Sequence, residues 1–428
     1  MASQFRCYVL ALLGFILYVP RVHAQEPPAP PATETQPSSP AVPPAPETSV
    51  PPASAASSTL IAPAAGPLKI EDASGNSIRF GLLLQPQYQA ASSPALNSYA
   101  NNLYIRRTRL LVGGKFLGKV EFFFDTDYPN LFLDSNTAAE GAPEVFAKNG
   151  PGMIVQDAFI TYKVLDGPME DALKVDAGFM LPPMSHNAVQ GAATLYGWDY
   201  FSYSFQHSNA FGSTVNPVGR DVGVQLRGLV VDGHLEYRVG LFQGRRDNVS
   251  ATDVQARNFF RATARVQVNL LDPEPGFFYA GTYLGAKKIA SVGGSFDIQG
   301  AYKYFALDGI VDMPLGPGVV SGQLNLAHWN GGTLLPGLLR QTALMGEAGY
   351  NFAGFQVSPI VRYEHLWGSG APADPATYLA NQARYSFGVA YWPYGHNMNL
   401  KAFYSRVQTT GAARGFNQFN LQWQVYFF

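Results

Sequence analysis

Phe416-Asn417-Gln418-Phe419-Asn420-Leu421-Gln422-Trp423-Gln424-Val425-Tyr426-Phe427-Phe428 is the stretch whose reading decides the fold. Phe419, Leu421, Trp423, Val425 and Phe427 alternate with Gln418, Asn420, Gln422 and Gln424. A period of two sends successive side chains to opposite faces of a strand, so one face is apolar and aromatic and the other is a row of amides. In a soluble sandwich or propeller this alternation separates core from water; in a membrane barrel it separates lipid from lumen. The phase leaves Phe428 as one residue beyond the apolar row.

Working outward, the same period recurs. Phe80, Leu82, Leu84 and Tyr88 oppose Arg79, Gln85, Gln87 and Gln89; Val120, Phe122, Phe124 and Tyr128 oppose Glu121, Asp125 and Asp127; Leu173, Val175, Ala177 and Phe179 oppose Lys174 and Asp176. Further strands are expected near 103–114, 154–164, 219–229, 234–242, 257–270, 289–299, 304–313, 319–329, 341–352, 355–367, 383–392 and 397–407, for a total of sixteen with those above. Tight links such as Phe116-Leu117-Gly118, Val231-Asp232-Gly233, Leu315-Gly316-Pro317-Gly318 and Ala353-Gly354 alternate with long ones. Short turns at one end and long loops at the other are the signature of a transmembrane barrel. A tilted strand of about 9–11 residues spans the hydrocarbon layer, and closure removes the edges that lipid cannot satisfy. The expected fold is therefore an all-β, 16-stranded antiparallel transmembrane β-barrel with short periplasmic turns and long extracellular loops. Tyr88, Tyr128, Trp329, Trp367 and Trp392, near strand ends, are read as interfacial girdles. The aromatic last strand is of the kind by which the barrel-assembly machinery recognises outer-membrane barrels.

Composition agrees. Charged residues make up 14% of the chain, against about 25% in soluble domains, as expected if half of every strand faces lipid. The balance of 29 Lys and Arg against 30 Asp and Glu, without basic runs, speaks against a nucleic-acid partner. Arg6, the apolar run from Tyr8 to Val19 and Val22-His23-Ala24 read as a cleaved signal peptide over 1–24. Cys7, the only cysteine, falls within it, so no disulfide is expected in the exported chain. Residues 25–67 hold 13 of the 32 prolines and no aromatic, too little apolar surface to offset ordering entropy, and read as a Pro/Ala-rich disordered linker. The barrel domain is expected over 68–428.

If apolar faces meet lipid, the polar faces line a lumen that sixteen strands make wide enough for an aqueous channel. Arg257, Arg261 and Arg265 share one face of a single strand and, at about 3.3 Å per residue, climb roughly 26 Å. Guanidinium groups in register offer bidentate donors to phosphate or carboxylate oxygens. The alternative is that they pair with lumenal acids such as Glu121, Asp125, Asp221, Asp308 and Asp312. Arg107, Arg109, Arg227, Arg238, Arg362, Arg384 and Lys401 complete the candidate anion path, with Arg79 and Lys163 as further inward-pointing cations. Arg106-Arg107-Thr108-Arg109 puts an arginine on each face, which assigns Arg106 to an interface. The segment from Leu181 to Val218, opening on Pro182-Pro183 and carrying Tyr196, Trp198, Tyr200 and Tyr203, is a candidate constriction loop, an outside cap or a subunit contact.

Arg106-Arg107-Thr108-Arg109-Leu110 with Gly113-Gly114, Gln156-Asp157-Ala158-Phe159-Ile160-Thr161-Tyr162, and Gly219-Arg220-Asp221-Val222-Gly223-Val224-Gln225-Leu226-Arg227-Gly228 continuing to Tyr237 through Gly244 resemble the phosphate-selective porin O and P family. The resemblance runs over about 68–428 and implies a sixteen-stranded, trimeric outer-membrane channel that conducts phosphate or polyphosphate past rows of arginine and lysine. The chain departs from that pattern in its acidic balance and in lacking a lysine cluster in the long segment. Gly-x-Ser-x-Gly, His-Glu-x-x-His and phosphate-loop motifs do not occur. His207-Ser208 is adjacent in sequence, which does not make a triad, and the scattered histidines give a metal site no support. The expectation is a passive porin for small hydrophilic solutes, biased toward anions, with outer-membrane lipid and a homotrimer as partners and neither cofactor, metal nor catalytic residue. The alternatives are a general or sugar-conducting porin, and a plugged barrel acting as an enzyme or adhesin.

Overall fold

The structure, a computed structural model, describes residues 68–93, 98–133, 152–211, 219–246, 259–371, 374, 378–410 and 415–428. The expected leader (1–24), the Pro/Ala-rich linker (25–67) and Arg257 lie outside the described residues. In chain order the strands are β1 (Leu68–Glu71), β2 (Ser77–Ser93), β3 (Ser98–Phe116), β4 (Val120–Asp127), β5 (Ile154–Lys163), β6 (Lys174–Met180), β7 (Asp221–Val230), β8 (Leu235–Phe242) and β9 (Arg261–Asn269). They continue as β10 (Ile289–Gln299), β11 (Tyr302–Leu315), β12 (Gly318–Asn330), β13 (Gln341–Phe352), β14 (Val357–Trp367), β15 (Gln382–Tyr391), β16 (Met398–Thr409) and β17 (Phe416–Phe427).

From β2 onward each strand pairs antiparallel with the next. β17 returns to β2, with Gln418 opposite Ala91 and Phe427 opposite Leu82, and the sheet closes as the sixteen-stranded barrel that the periodicity predicts. β1 is additional: Leu68 to Glu71 pair with Phe80 to Ser77, on the edge of β2 that β17 leaves free, so it prolongs the line of β17 without widening the barrel. The Asp72 carboxylate shapes the β1–β2 turn by accepting from the Ser74 and Asn76 amides at 2.8 and 2.9 Å. Between β11 and β12 the two-residue link Gly316-Pro317 has a positive φ of 58° at Gly316, the first central position of a hairpin turn that needs glycine there.

The outer surface is apolar. Leu103, Leu241, Val266, Leu307, Leu324 and Phe387 are exposed there, a continuous band that water would not tolerate and lipid does. Among the described residues no helix is long and apolar enough to cross a membrane. Inward positions are polar and buried, including Gln85, Gln87 and Gln89 on β2, and Gln418, Asn420, Gln422 and Gln424 on β17. Phe428 resolves its phase by turning inward: its ring lies where side chains on Gly81 and Gly113 would stand, 2.7 and 2.8 Å from their ideal Cβ positions.

Three expectations are corrected. Opposite the step from Leu84 to Pro86, β3 advances from Thr108 to Ile105, one residue more than its partner. This bulge turns both Arg106 and Arg107 into the lumen, so Arg106 is buried inside the barrel. A second bulge, on β5, turns both Gln156 and Asp157 inward. Trp329 and Trp392 are fully buried within the lumen, because their positions share the inward phase of Ala327 and Ala390. Finally, link length does not follow the expected alternation everywhere: β10 and β11 are joined at the far end by Gly300-Ala301 alone, and β9 and β10 are joined by a long stretch, 270–288, at the end of the barrel where β2 begins.

Candidate functional site

Two segments enter the barrel from opposite ends and fill much of it. The first leaves β6 at Leu181-Pro182-Pro183, where the prolines have no amide to continue the ladder. Its descent follows from the wall it meets. On β11–β14 the inward positions carry Tyr302, Tyr304, Ala327, Trp329, Met345 and Leu366, and Met184, Phe201, Tyr203 and Phe211 pack against them. Burying each large side chain contributes about 1.5–3 kcal/mol. Tyr196 and Trp198 join Ile360, Trp392 and Phe403 farther round, with Tyr196 stacked parallel to Trp392 at 6.3 Å. Tyr200 donates to the Gln190 carbonyl at 2.7 Å, and Tyr203 to Gln382 at 2.5 Å. All four aromatics named from the sequence thus anchor the segment to wall or backbone.

Charged wall residues hold the same segment. Arg362 donates to the Asp199 and Tyr200 carbonyls at 2.6 and 2.5 Å. Lys401 donates to the Leu195 and Gly197 carbonyls at 2.7 and 2.8 Å. Asp199 receives both arginines of the β3 bulge, Arg106 at 2.7 Å and Arg107 at 2.5 Å. Ser202 donates to Glu364 at 2.5 Å.

The second segment, 270–288, gave no signal to strand periodicity. The sequence does hold one: Phe277-Phe278-Tyr279 inside a long link at the end where turns are otherwise short. It meets the first segment backbone to backbone. Gly191 N–H donates to the Tyr279 carbonyl at 2.9 Å, Tyr279 N–H to Val189 at 3.2 Å, and Gly281 N–H to Thr194 at 3.0 Å. The His186 ring stacks on Tyr279 at 4.4 Å, and its Nε2 lies 2.9 Å from Glu274. Arg238 donates to the Phe277 and Gly276 carbonyls, and Arg227 and Lys174 donate to that of Pro275.

The candidate anion path looks different once its partners are in place. Arg261 is bound by Asp297 and Asp221, with its guanidinium 4.5 Å over the Phe211 ring. Arg265 is bound by both oxygens of Asp308, at 2.6 and 2.7 Å, and by the Met184 carbonyl. Both are buried beneath the first segment, and neither presents a free guanidinium to the lumen. Arg109 pairs with Asp125 and Asp127, Arg227 with Asp176, Arg238 with Glu236, Arg362 with Glu364, and Arg384 with Glu364. Of the acids expected to neutralise arginines, Asp125, Asp221 and Asp308 do so; Asp312 accepts from the Thr282 and Ser321 hydroxyls, and Glu121 meets Lys163. His207 is buried edge-on to Phe211.

Space remains on the other side. A cavity of about 750 Å³ lies between the inner wall of β2–β7 and the two segments. Seven Lys and Arg side chains line it against three carboxylates, Glu121, Asp125 and Asp157. Arg109 and Arg227 are the members of the expected path that reach it, and Arg79, Lys174 and Arg220 join them.

No protein-family model matches the sequence, and no curated protein matches it. Solved structures do. The chain is similar to the anion-selective porin from Comamonas acidovorans, at 13% identity over 82% of this chain and 100% of that one, with a TM-score of 0.54. The OmpT outer membrane protein of Vibrio cholerae with loop L8 deleted (11% identity, 82% and 99% covered, TM-score 0.48) and OccK9 (OpdG) of Pseudomonas aeruginosa (10% identity, 82% and 98% covered, TM-score 0.47) also match. The first of these defines the class of fold, a closed sixteen-stranded barrel of the outer-membrane porin type.

Proposed function

We propose that the chain is an outer-membrane porin, a narrow channel for small hydrophilic solutes that favours anions. The apolar outer band, the closed sheet and the porin-type fold support a channel in the outer membrane. The observation that carries the anion preference is the lining of the cavity beside the two infolded segments, seven cations against three carboxylates, of which Arg79 and Lys115 have no ion pair among the described residues. In a low-dielectric tube such an excess raises the local concentration of anions. Arg261 and Arg265 enter this reading as struts holding the first segment, and Tyr196, Trp198, Tyr200 and Tyr203 as the anchors that narrow the lumen. The proposal includes export by the 1–24 leader, recognition of β17 by the barrel-assembly machinery and a homotrimer; phosphate is among the anions it covers.

Single-channel recording of the purified protein in planar bilayers under a salt gradient tests it, with chloride and then phosphate as the anion. Discrete small steps with an anion-selective reversal potential are expected. A cation-selective or unselective potential would return the chain to a general or sugar-conducting porin. Silence from a folded, inserted barrel would favour the plugged-barrel alternative, which the hydrogen-bonded meeting of the two segments also accommodates.

A further inference from the structure

We infer that the 750 Å³ cavity is a recognition site for organic anions with a flat apolar body, of the aryl carboxylate type, and that small inorganic anions gain little from it. This rests on the channel reading above and names the solute class. The cavity volume falls within the range of about 300–1,000 Å³ typical of small-molecule sites.

One part of the lining is phenyl. Phe123 on β4, Phe159 on β5, Phe277 and Phe278 on the second segment, and Phe428 after β17 converge from four places in the chain. Phe123 lies 5.8 Å from Phe159 and 5.5 Å from both Phe278 and Phe428; Phe159 lies 4.3 Å from Phe277. Phe123, Phe278 and Phe428 are only half-buried, so their rings keep apolar surface facing the cavity. Beside the buried ion pairs of β3–β7, that surface rewards a ring and offers nothing to a hydrated inorganic ion.

The other part is cationic, and among the described residues two of its cations, Arg79 and Lys115, have no ion pair; Arg79 is the one beside the rings. Arg79 stands opposite Lys69 across the β1–β2 pair, a like-charge juxtaposition. Glu71 takes Lys69, and among the described residues no carboxylate bridges Arg79, whose guanidinium lies 4.1 Å over the Phe428 ring. Arg109, also on the lining, keeps Nη2 buried without a hydrogen-bond partner. Its other nitrogens are held by Asp125 and Asp127, and Arg220 is held by Asp157. A phosphate dianion requires several free donors at once, whereas a monoanionic carboxylate needs one open guanidinium, which Arg79 supplies beside a stacking surface.

The test is direct titration of the folded full-length protein in detergent with benzoate, acetate and inorganic phosphate, followed by calorimetry. Benzoate is expected to bind at least tenfold more tightly than acetate or phosphate. Arg79→Gln should weaken benzoate about tenfold, and Phe123→Leu should weaken benzoate while leaving acetate unchanged, with heat-modifiable gel mobility reporting that each barrel is folded. Equal affinities for the three anions, or an Arg79→Gln barrel that binds benzoate as before, would overturn the inference. Its failure is separable from that of the channel: benzoate binding to a protein that conducts nothing sinks the channel and keeps the site, and anion-selective conductance without preference for benzoate does the reverse.

Discussion

The two sides of the lumen share buried ion pairs and differ in how far they are filled. Against β8–β16, arginines are buried and joined to carboxylates, and aromatic residues fill what remains. Against β2–β7, the buried arginines are paired as well, with Asp125, Asp127, Asp157, Asp176 and Asp199, yet a cavity persists whose lining includes Arg79 and Lys115, unpaired among the described residues. The difference teaches that an arginine row on a strand is not a ligand row until its neighbours are known. Arg261 and Arg265 look open when β9 is read alone, and Asp297 on the adjoining β10, Asp308 on β11 and Asp221 on β7 close them. The chain as a whole is near neutral, so its usable positive charge is local, at cavity cations such as Arg79 that no carboxylate takes up among the described residues.

If the crowded side is held by pairing, breaking a pair there should cost most. Asp308→Asn leaves Arg265 buried without its charge partner, and a loss of about 3–5 kcal/mol is expected in urea unfolding from detergent or lipid. A loss under about 1 kcal/mol would erase the distinction between the two sides. Phe278→Ala removes a half-buried ring from the cluster that ties the second segment to β4 and β5. About 2 kcal/mol should be lost, with a rise in single-channel conductance; unchanged conductance would mean that the segment does not narrow the path. On the open side, Glu121→Gln breaks a partly exposed pair with Lys163 and should change stability by less than about 1 kcal/mol, while shifting the reversal potential toward anions. The smallest effect lies outside both walls, in the β1–β2 turn. Hydrogen bonds from Asn76 hold the Asp72 carboxyl below its usual value near 3.8. A depressed folded pKa means that the turn is fully supported above the unfolded value and loses support as pH falls through the lowered one. The protection of the β1 amides, corrected for the intrinsic pH dependence of exchange, should therefore fall on acidification, and Asp72→Asn should abolish that change.

The strands and their lumenal faces were legible because alternation in a lipid-facing sheet leaves one phase for each strand. What periodicity hid is physical. A bulge reverses phase mid-strand, so Arg106 read as outward and the paired inward placement of Gln156 and Asp157 left no trace in the pattern. Trp329 and Trp392 read as girdle residues since nothing in their own strands announces the segment that covers them. The carboxylate partners of Arg261 and Arg265 depend on register between strands, which no single segment encodes. The 270–288 segment was invisible to a strand count, although three consecutive aromatics in a link at the turn end mark it.

The seam between β2 and β17 carries one more consequence. It joins residues more than 300 positions apart, as in the Gln85–Gln424 contact, so closing it brings together the ends of the described sheet across the longest sequence separation of any pairing. Inside the hoop that it closes, the two segments, one from each mouth, meet through the backbone hydrogen bonds of Gly191 and Tyr279. Folding of this chain should be slow, and sensitive to lesions at Gly191 or Tyr279, residues that meet the membrane nowhere and yet tie the two infolded segments together.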